Sequence, residues 1–310
     1  MDLSVVIPLF NEEESISELV SWIGRVVSEN DLTYEIVIVD DGSTDNSWNI
    51  LKQLNQKTPN IRAVRFRRNY GKSAALNTAF QHTKGDVVIT LDADLQDSPD
   101  EIPGLIDMIR NQGFDMVSGW KKKRHDPISK TVPSKFFNWM TRKISGIELN
   151  DFNSGIKAYR NEVVKNIEVY GEMHRYIPVI AKSAGYKKIG EKVVQHYPRK
   201  FGTTKYGLER IMRGFLDLLS ITFIGRFGKR PMHFFGTWGT ILSFIGFIVL
   251  AYLTIEKIFF KTIGIADRPL FYLGILLIIV GVQLFIAGFL AELISRNSPH
   301  RNEYGVSEKI

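Results

Sequence analysis

The 310-residue sequence contains no cysteine. That excludes a disulfide framework, a thiolate metal site and a cysteine nucleophile, and it leaves a reducing compartment as the default. It has no glycine-rich phosphate loop and no G-x-G-x-x-G after its first apolar run, which counts against nucleotide hydrolysis and nicotinamide chemistry. It has no Q-x-x-R-W string, no internal repeat and no low-complexity tract. The opening MDLSVVIPLF has no basic region before its apolar residues, so no signal peptide is expected. At 44% apolar and 24% charged, the composition is that of a chain with a packed core.

The formal net charge is +7, a balance that suits nucleic acid, anionic headgroups or a phosphorylated substrate. The mean hydropathy is −0.06, high for so charged a chain, so the apolar residues are concentrated. Phe234–Ile255 and Pro269–Ala291 carry no charge at all. At about 1.5 Å per residue each run crosses the roughly 30 Å hydrocarbon core of a bilayer. Trp238, Phe271 and Tyr272 suit interfacial belts. Arg226, Lys229 and Arg230 precede the first run, and Arg296, His300 and Arg301 follow the second. Without an export signal, the residues before Phe234 are expected in the cytoplasm, and two spans return the C-terminus there.

Before the membrane runs the chain alternates. Apolar strands are expected at 4–10, 34–42, 61–66 and 86–94, with helices near 12–28, 44–56 and 73–82 between them. Continuous apolar strands separated by helices predict an α/β fold with a parallel sheet covered on both faces. A helix over 99–113, a strand over 115–120, a basic loop over 121–133, helices over 134–145 and 174–185 and a strand over 188–197 follow.

Open α/β sheets bind ligands beyond the carboxyl ends of their strands. Acidic residues stand at two such ends, Asp40-Asp41 and Asp92-Ala93-Asp94. A helix cap accounts for part of the first pair, but two adjacent carboxylates exceed what a cap needs. Asp92, Asp94 and Gln96 make an oxygen-rich set for a hard divalent cation, Mg²⁺ or Mn²⁺, which would neutralise a diphosphate leaving group.

SVVIPLFNEEESI, EIVIVDDGSTDNS, RNYGKSAALNTAF and DVVITLDADLQDSPDEIP, in that order, resemble the nucleotide-sugar domain of family 2 glycosyltransferases with the GT-A fold. Through DFNSGIKAYR and RKFGTTKYGLER the resemblance narrows to the polyprenyl-phosphate sugar transferases. It is closest to the bactoprenol glucosyltransferase branch and related to dolichol-phosphate mannose synthase.

The resemblance implies the Rossmann-like, mostly parallel form of the α/β sheet, with a nucleotide-sugar donor, a polyprenyl phosphate acceptor and a lipid bilayer as partners. Pro8, Phe10 and Glu12 would line the base and ribose pocket, with Asp40 reading the base. Phe10 keeps the stacking face of the tyrosine common there and lacks its hydroxyl. Asn69, Gly71 and Lys72 would shape the donor pocket wall. Asp92, Ala93 and Asp94, with Gln96, would meet the metal and diphosphate. Arg199 and Lys205 match an R-x5-K pattern and would reach the diphosphate. Asp151 is the candidate for a catalytic or sugar-orienting carboxylate, and a structural loop acid is the alternative. The basic stretch 121–130, with Lys121, Arg124 and Lys130, and Ser134 beyond it, would bind the acceptor phosphate or hold the domain to anionic lipid.

Leu208, Ile211, Phe215, Leu218 and Leu219 recur at helical spacing, which predicts an amphipathic helix, in the interface plane or packed on the core. The expected organisation is a catalytic domain over 1–204, a juxtamembrane helix and linker over 205–230, two spans over 231–296 and a tail over 297–310. The expected reaction moves one sugar, glucose from UDP-glucose, to undecaprenyl phosphate. GDP-mannose or a UDP-amino-arabinose are the alternative donors. A polysaccharide synthase and a non-enzymatic anchor are less favoured, and no nucleic acid partner is expected. Oligomeric state stays open.

Overall fold

The computed structural model describes residues 1–122, 128–198, 200, 218, 220–224, 227–228, 230–260 and 264–296, with side chains for all of these except 128–136, 260 and 296. The chain divides into two compact units, Met1–Thr222 and Phe223–Ile310.

The first unit is built on a seven-stranded sheet. In chain order its elements are β1 (Leu3–Leu9), α1 (Ile16–Glu29), β2 (Tyr34–Asp40), α2 (Ser47–Lys57), β3 (Ile61–Arg65), α3 (Lys72–His82), β4 (Val87–Thr90), α4 (Ile102–Arg110), β5 (Met116–Trp120), α5 (Ile128–Ser145), β6 (Lys157–Arg160), α6 (Asn161–Asn166), α7 (Ile177–Ser183) and β7 (Ile189–Val193). The strand order is β3-β2-β1-β4-β6-β5-β7. The first four strands pair in parallel, while β6 is antiparallel to both β4 and β5. β7 pairs in parallel with β5.

Apolar alternation loads both faces. Leu3, Val5, Ile7 and Leu9 of β1 pack with Ile16, Leu19 and Ile23 of α1 on one side. Val6 of β1 and Val37 and Val39 of β2 pack with Ala75, Ala79 and Phe80 of α3 on the other. A strand buried on both faces shows as an unbroken apolar run, which is why the sequence pattern marks these strands so clearly.

The structure corrects several expected elements. β4 ends at Thr90, so Asp92 and Asp94 stand beyond the strand rather than in it. The 99–113 helix is a short 3-10 turn, Pro99–Glu101, followed by α4. The helix expected from 134 starts at Ile128, inside the expected basic loop. The strand expected over 188–197 stops at Val193. The antiparallel β6 went unseen, because a four-residue strand beginning with lysine and ending with arginine has no apolar signature. Most of the expected amphipathic helix lies outside the described residues; Leu218 and Ile221 within it are buried in the core of the first unit.

The second unit contains α8 (Pro231–Phe260) and α9 (Pro269–Arg296). Their mean hydropathies are 2.0 and 2.7, and only 17% of each apolar stretch is buried within the protein. A core helix of a soluble protein would be mostly covered. These two are apolar all round and exposed, and they fit two transmembrane helices. They pack on each other through small residues. A Cβ added at Gly239 would lie 2.6 Å from the carbonyl oxygen of Gly281, and one at Gly246 would lie 2.6 Å from that of Gly274. Gly281→Val is therefore expected to push the two helices apart. Overpacking of this kind costs roughly 1–3 kcal/mol, read as a lower thermal unfolding midpoint of the purified protein in detergent. An unchanged midpoint would contradict the contact.

Candidate active site

Four parallel strands bring their carboxyl ends to one rim of the sheet. β5 runs the same way, and β6 runs opposite, so its amino end arrives at that rim too. The rim therefore gathers Phe10, Asp40, residues 92–97, Lys121 and residues 151–157 from five separate strands.

The turn after β4 is shaped for close approach. Leu95 sits at φ +59°, a left-handed conformation a bulky side chain rarely adopts and one of the strained geometries that gather at functional sites. Asp94 Oδ1 accepts the Gln96 N–H at 3.3 Å. The Tyr197 N–H donates to the Gln96 carbonyl at 2.8 Å, and Asp97 bridges to His196. The segment leading into RKFGTTK is thus stitched to the acidic turn. Opposite it, a Cβ added at Gly155 would come within 2.5 Å of Asp92 Oδ2 and 2.7 Å of Asp97 Oδ2. Only glycine lets the two carboxylates rest against that backbone.

Cations from other elements balance the acids. Lys72 Nζ, at the start of α3, is 2.5 Å from Asp92 Oδ1. Lys121 Nζ is 2.8 Å from Asp97 Oδ1, and His196 Nδ1 is 3.5 Å from the same atom. Burial pushes the Asp97 pKa up, but the Lys121 ammonium and His196 outweigh it and hold the carboxyl well below the usual range. Burial pulls Lys121 down, and Asp97 more than restores it. Lys157, at the start of β6, is fully buried and donates to the Ser154 carbonyl. Burial lowers its pKa to about 8, with Lys72 adding to the effect and Asp151 and Asp92 opposing it.

The other expected site residues fall into three groups. Pro8 is half-buried, Phe10 is exposed at the end of β1, and Glu12 accepts the Ser15 hydroxyl at 2.9 Å. Ala93 is buried, and Asp151 is buried with Oδ1 accepting the Asn153 N–H at 3.0 Å. Two residues turn inward. Asp40 is fully buried, with Oδ1 accepting the Ser43 N–H at 2.8 Å and Oδ2 3.2 Å from Arg65 Nε, contacts that hold the turn after β2. Lys121, expected at the acceptor phosphate, is paired with Asp97. Lys130 and Ser134 lie on α5, and Arg124, Arg199 and Lys205 fall outside the described residues. Sequence reasoning passed over Asp97 and Lys157, and marked Asp41 only as half of the Asp40-Asp41 pair. Asp41 accepts the Tyr70 and Gly71 N–H groups at 2.7 and 2.9 Å and so fixes the start of α3.

The donor set suits a hard cation. Asp92 and Asp94 offer carboxylate oxygens and Gln96 an amide oxygen. Among the described residues no cluster of three or more acidic, histidine or cysteine side chains would form a cage for a metal. Mg²⁺ and Mn²⁺ need no cage, since one or two carboxylates plus phosphates and water complete their shell.

The family model for glycosyl transferase family 2 matches residues 4–168, more than half of the chain. The chain belongs to that family. This glycosyltransferase is 36% identical over 299 residues to dodecaprenyl-phosphate galacturonate synthase of Rhizobium johnstonii, covering 96% of this chain and 88% of the relative. It is 33% identical over 295 residues to undecaprenyl-phosphate 4-deoxy-4-formamido-L-arabinose transferase of Edwardsiella ictaluri, covering 95% and 89%. Among solved structures, mannosyl-3-phosphoglycerate synthase of Rubrobacter xylanophilus aligns with a TM-score of 0.58 at 15% identity, over 72% of this chain and 74% of that one. Glucosyl-3-phosphoglycerate synthase of Mycobacterium tuberculosis, solved with Mn²⁺, UDP-glucose and phosphoglyceric acid, aligns with a TM-score of 0.53 at 20% identity, over 71% and 79%. These likenesses establish the GT-A fold.

The Asp97–Lys121 pair gives a direct test. Lys121→Met in the glycosyltransferase strands a buried carboxylate and is expected to cost about 3–5 kcal/mol of stability. Adding Asp97→Asn should recover most of it. Because the Asp97 pKa is depressed in the folded state, its contribution is present above the ordinary carboxylate pKa and is lost as pH falls below it. Denaturant unfolding of the wild type and both variants at neutral and acid pH checks this.

Proposed function

We propose that this glycosyltransferase moves one sugar from a nucleotide-sugar donor to a polyprenyl phosphate, inverting the anomeric centre. The observation that carries the reading is similarity along nearly the whole chain, apolar helices included, to two transferases whose acceptors are polyprenyl phosphates. The donor we infer is a UDP-sugar. Glucose is the sugar the sequence suggests, and the relatives' galacturonate and 4-deoxy-4-formamido-L-arabinose widen the candidates. The catalytic unit and both termini are proposed to lie on the cytoplasmic side.

Asp92, Asp94 and Gln96 would hold Mg²⁺ or Mn²⁺, which when bound neutralises the departing diphosphate. Arg199 and Lys205 would close over that diphosphate. Arg124, Lys130 and Ser134 would aim the acceptor phosphate. That phosphate is a dianion near neutral pH, since its second pKa is about 6, so it attacks without a strong general base. The protein's task is to position and screen it. Asp151, buried and oriented by the Asn153 amide, suits a group that orients sugar or acceptor. With no cysteine and a competent acceptor nucleophile, a covalent intermediate would gain little, so an α-linked donor gives a β-linked product.

Incubating the purified chain with undecaprenyl phosphate and UDP-glucose, UDP-galacturonate, UDP-formamido-arabinose or GDP-mannose, then reading lipid mass, tests the reading. A single lipid-linked sugar with a β anomeric signal is expected. No lipid product from any donor would overturn it, and an α linkage would overturn single displacement. Asp94→Ala should lower turnover by orders of magnitude with an unchanged circular dichroism spectrum. Full activity in excess EDTA would remove the cation from the mechanism.

A further inference from the structure

We propose that Lys72 competes with a divalent cation for Asp92, and that a nucleoside diphosphate relieves the competition by taking the Lys72 ammonium. Metal and donor then bind as a coupled pair. The inference rests on the glycosyltransferase reading and goes beyond it by naming the residue that couples the two ligands.

The geometry leaves Asp92 little choice of partner. One carboxylate oxygen, Oδ1, is 2.5 Å from Lys72 Nζ. The other, Oδ2, rests against the backbone at Gly155, where even a Cβ would come within 2.5 Å. With one oxygen on Lys72 and the other against the Gly155 backbone, a cation arriving at Asp92 meets Lys72. A divalent ion a few ångströms from an ammonium is repelled, and one of the two must yield.

Lys72 is the group free to move. Its backbone is fixed, because Asp41 accepts the Tyr70 and Gly71 N–H groups just before it. Its side chain is a flexible four-carbon stem and is 32% exposed. The two other lysines whose fields reach Asp92 are held in place, Lys121 on Asp97 and Lys157 on the Ser154 carbonyl. A diphosphate offers the ammonium a better partner and supplies the remaining oxygens for Mg²⁺ or Mn²⁺. By reciprocity, each ligand then strengthens the other by the same factor.

The test measures Mn²⁺ binding to the full chain in detergent, from the paramagnetic resonance signal of unbound Mn²⁺, alone, with UDP and with GDP. For the wild type we expect weak binding of Mn²⁺ alone and at least about tenfold tighter binding with one of the nucleotides. In Lys72→Met, Mn²⁺ alone should bind about tenfold tighter than to the wild type, and the nucleotide's effect should shrink toward none. Lys72→Gln carries the same expectation should the methionine variant fail to fold by circular dichroism. A neutral variant that binds Mn²⁺ alone no tighter than the wild type, or keeps the full nucleotide effect, overturns the proposal. Coupled binding in a chain that forms no lipid product leaves this inference standing and overturns the acceptor assignment. Lipid product without coupling does the reverse.

Discussion

Carboxylates crowded at one rim of a sheet must be neutralised, and the catalytic unit is organised around that need. Asp92, Asp94, Asp97 and Asp151 converge beyond the strand ends, and all but Asp92 are buried. In a low-dielectric setting such charges repel one another strongly unless cations stand among them. Lys121 answers Asp97 directly, Lys72 answers Asp92, and Lys157 supplies a buried charge within range of Asp92 and Asp151. The lysine partners come from different elements, so the charge balance also ties the rim together.

Backbone geometry sets how close these groups come. The left-handed Leu95 folds the acidic turn back, and Gly155 allows Asp92 and Asp97 to rest against the opposite loop. That loop precedes β6, the strand that runs against its neighbours. Had β6 run parallel to β4, its amino end with Lys157 would have emerged at the far rim. One reversed strand therefore delivers Asp151, Gly155 and Lys157 to the acidic rim. The pairing of Gln96 and Asp97 with His196 and Tyr197 similarly delivers the segment that continues to Arg199.

The membrane unit follows a different logic. Its helices have no polar work to do along most of their length, and their mutual packing relies on glycine backbones in contact. Between apolar helices in lipid there is no hydrophobic drive to associate, so close packing of small residues substitutes for it. The same separation of roles shows in composition, with acids and lysines gathered in the first unit and charge-free runs in the second.

The sequence by itself determined what depends on local pattern. Short apolar-rich runs marked β1 to β5, two charge-free stretches marked α8 and α9, and the order of motifs through DADLQ marked the acidic turn and the family. Only the tertiary structure decided which charges meet. Asp97 and Lys121 lie on different strands' ends, and nothing near either residue announces the partner. Read locally, Lys121 is one member of a basic run and Asp40 one of two adjacent acids; the fold adds that each is paired with a residue distant in sequence. Strand β6 was hidden for a related reason. Its lysine is buried by a sheet whose other strands are far away in sequence, and a pattern read locally treats a lysine as solvent-facing.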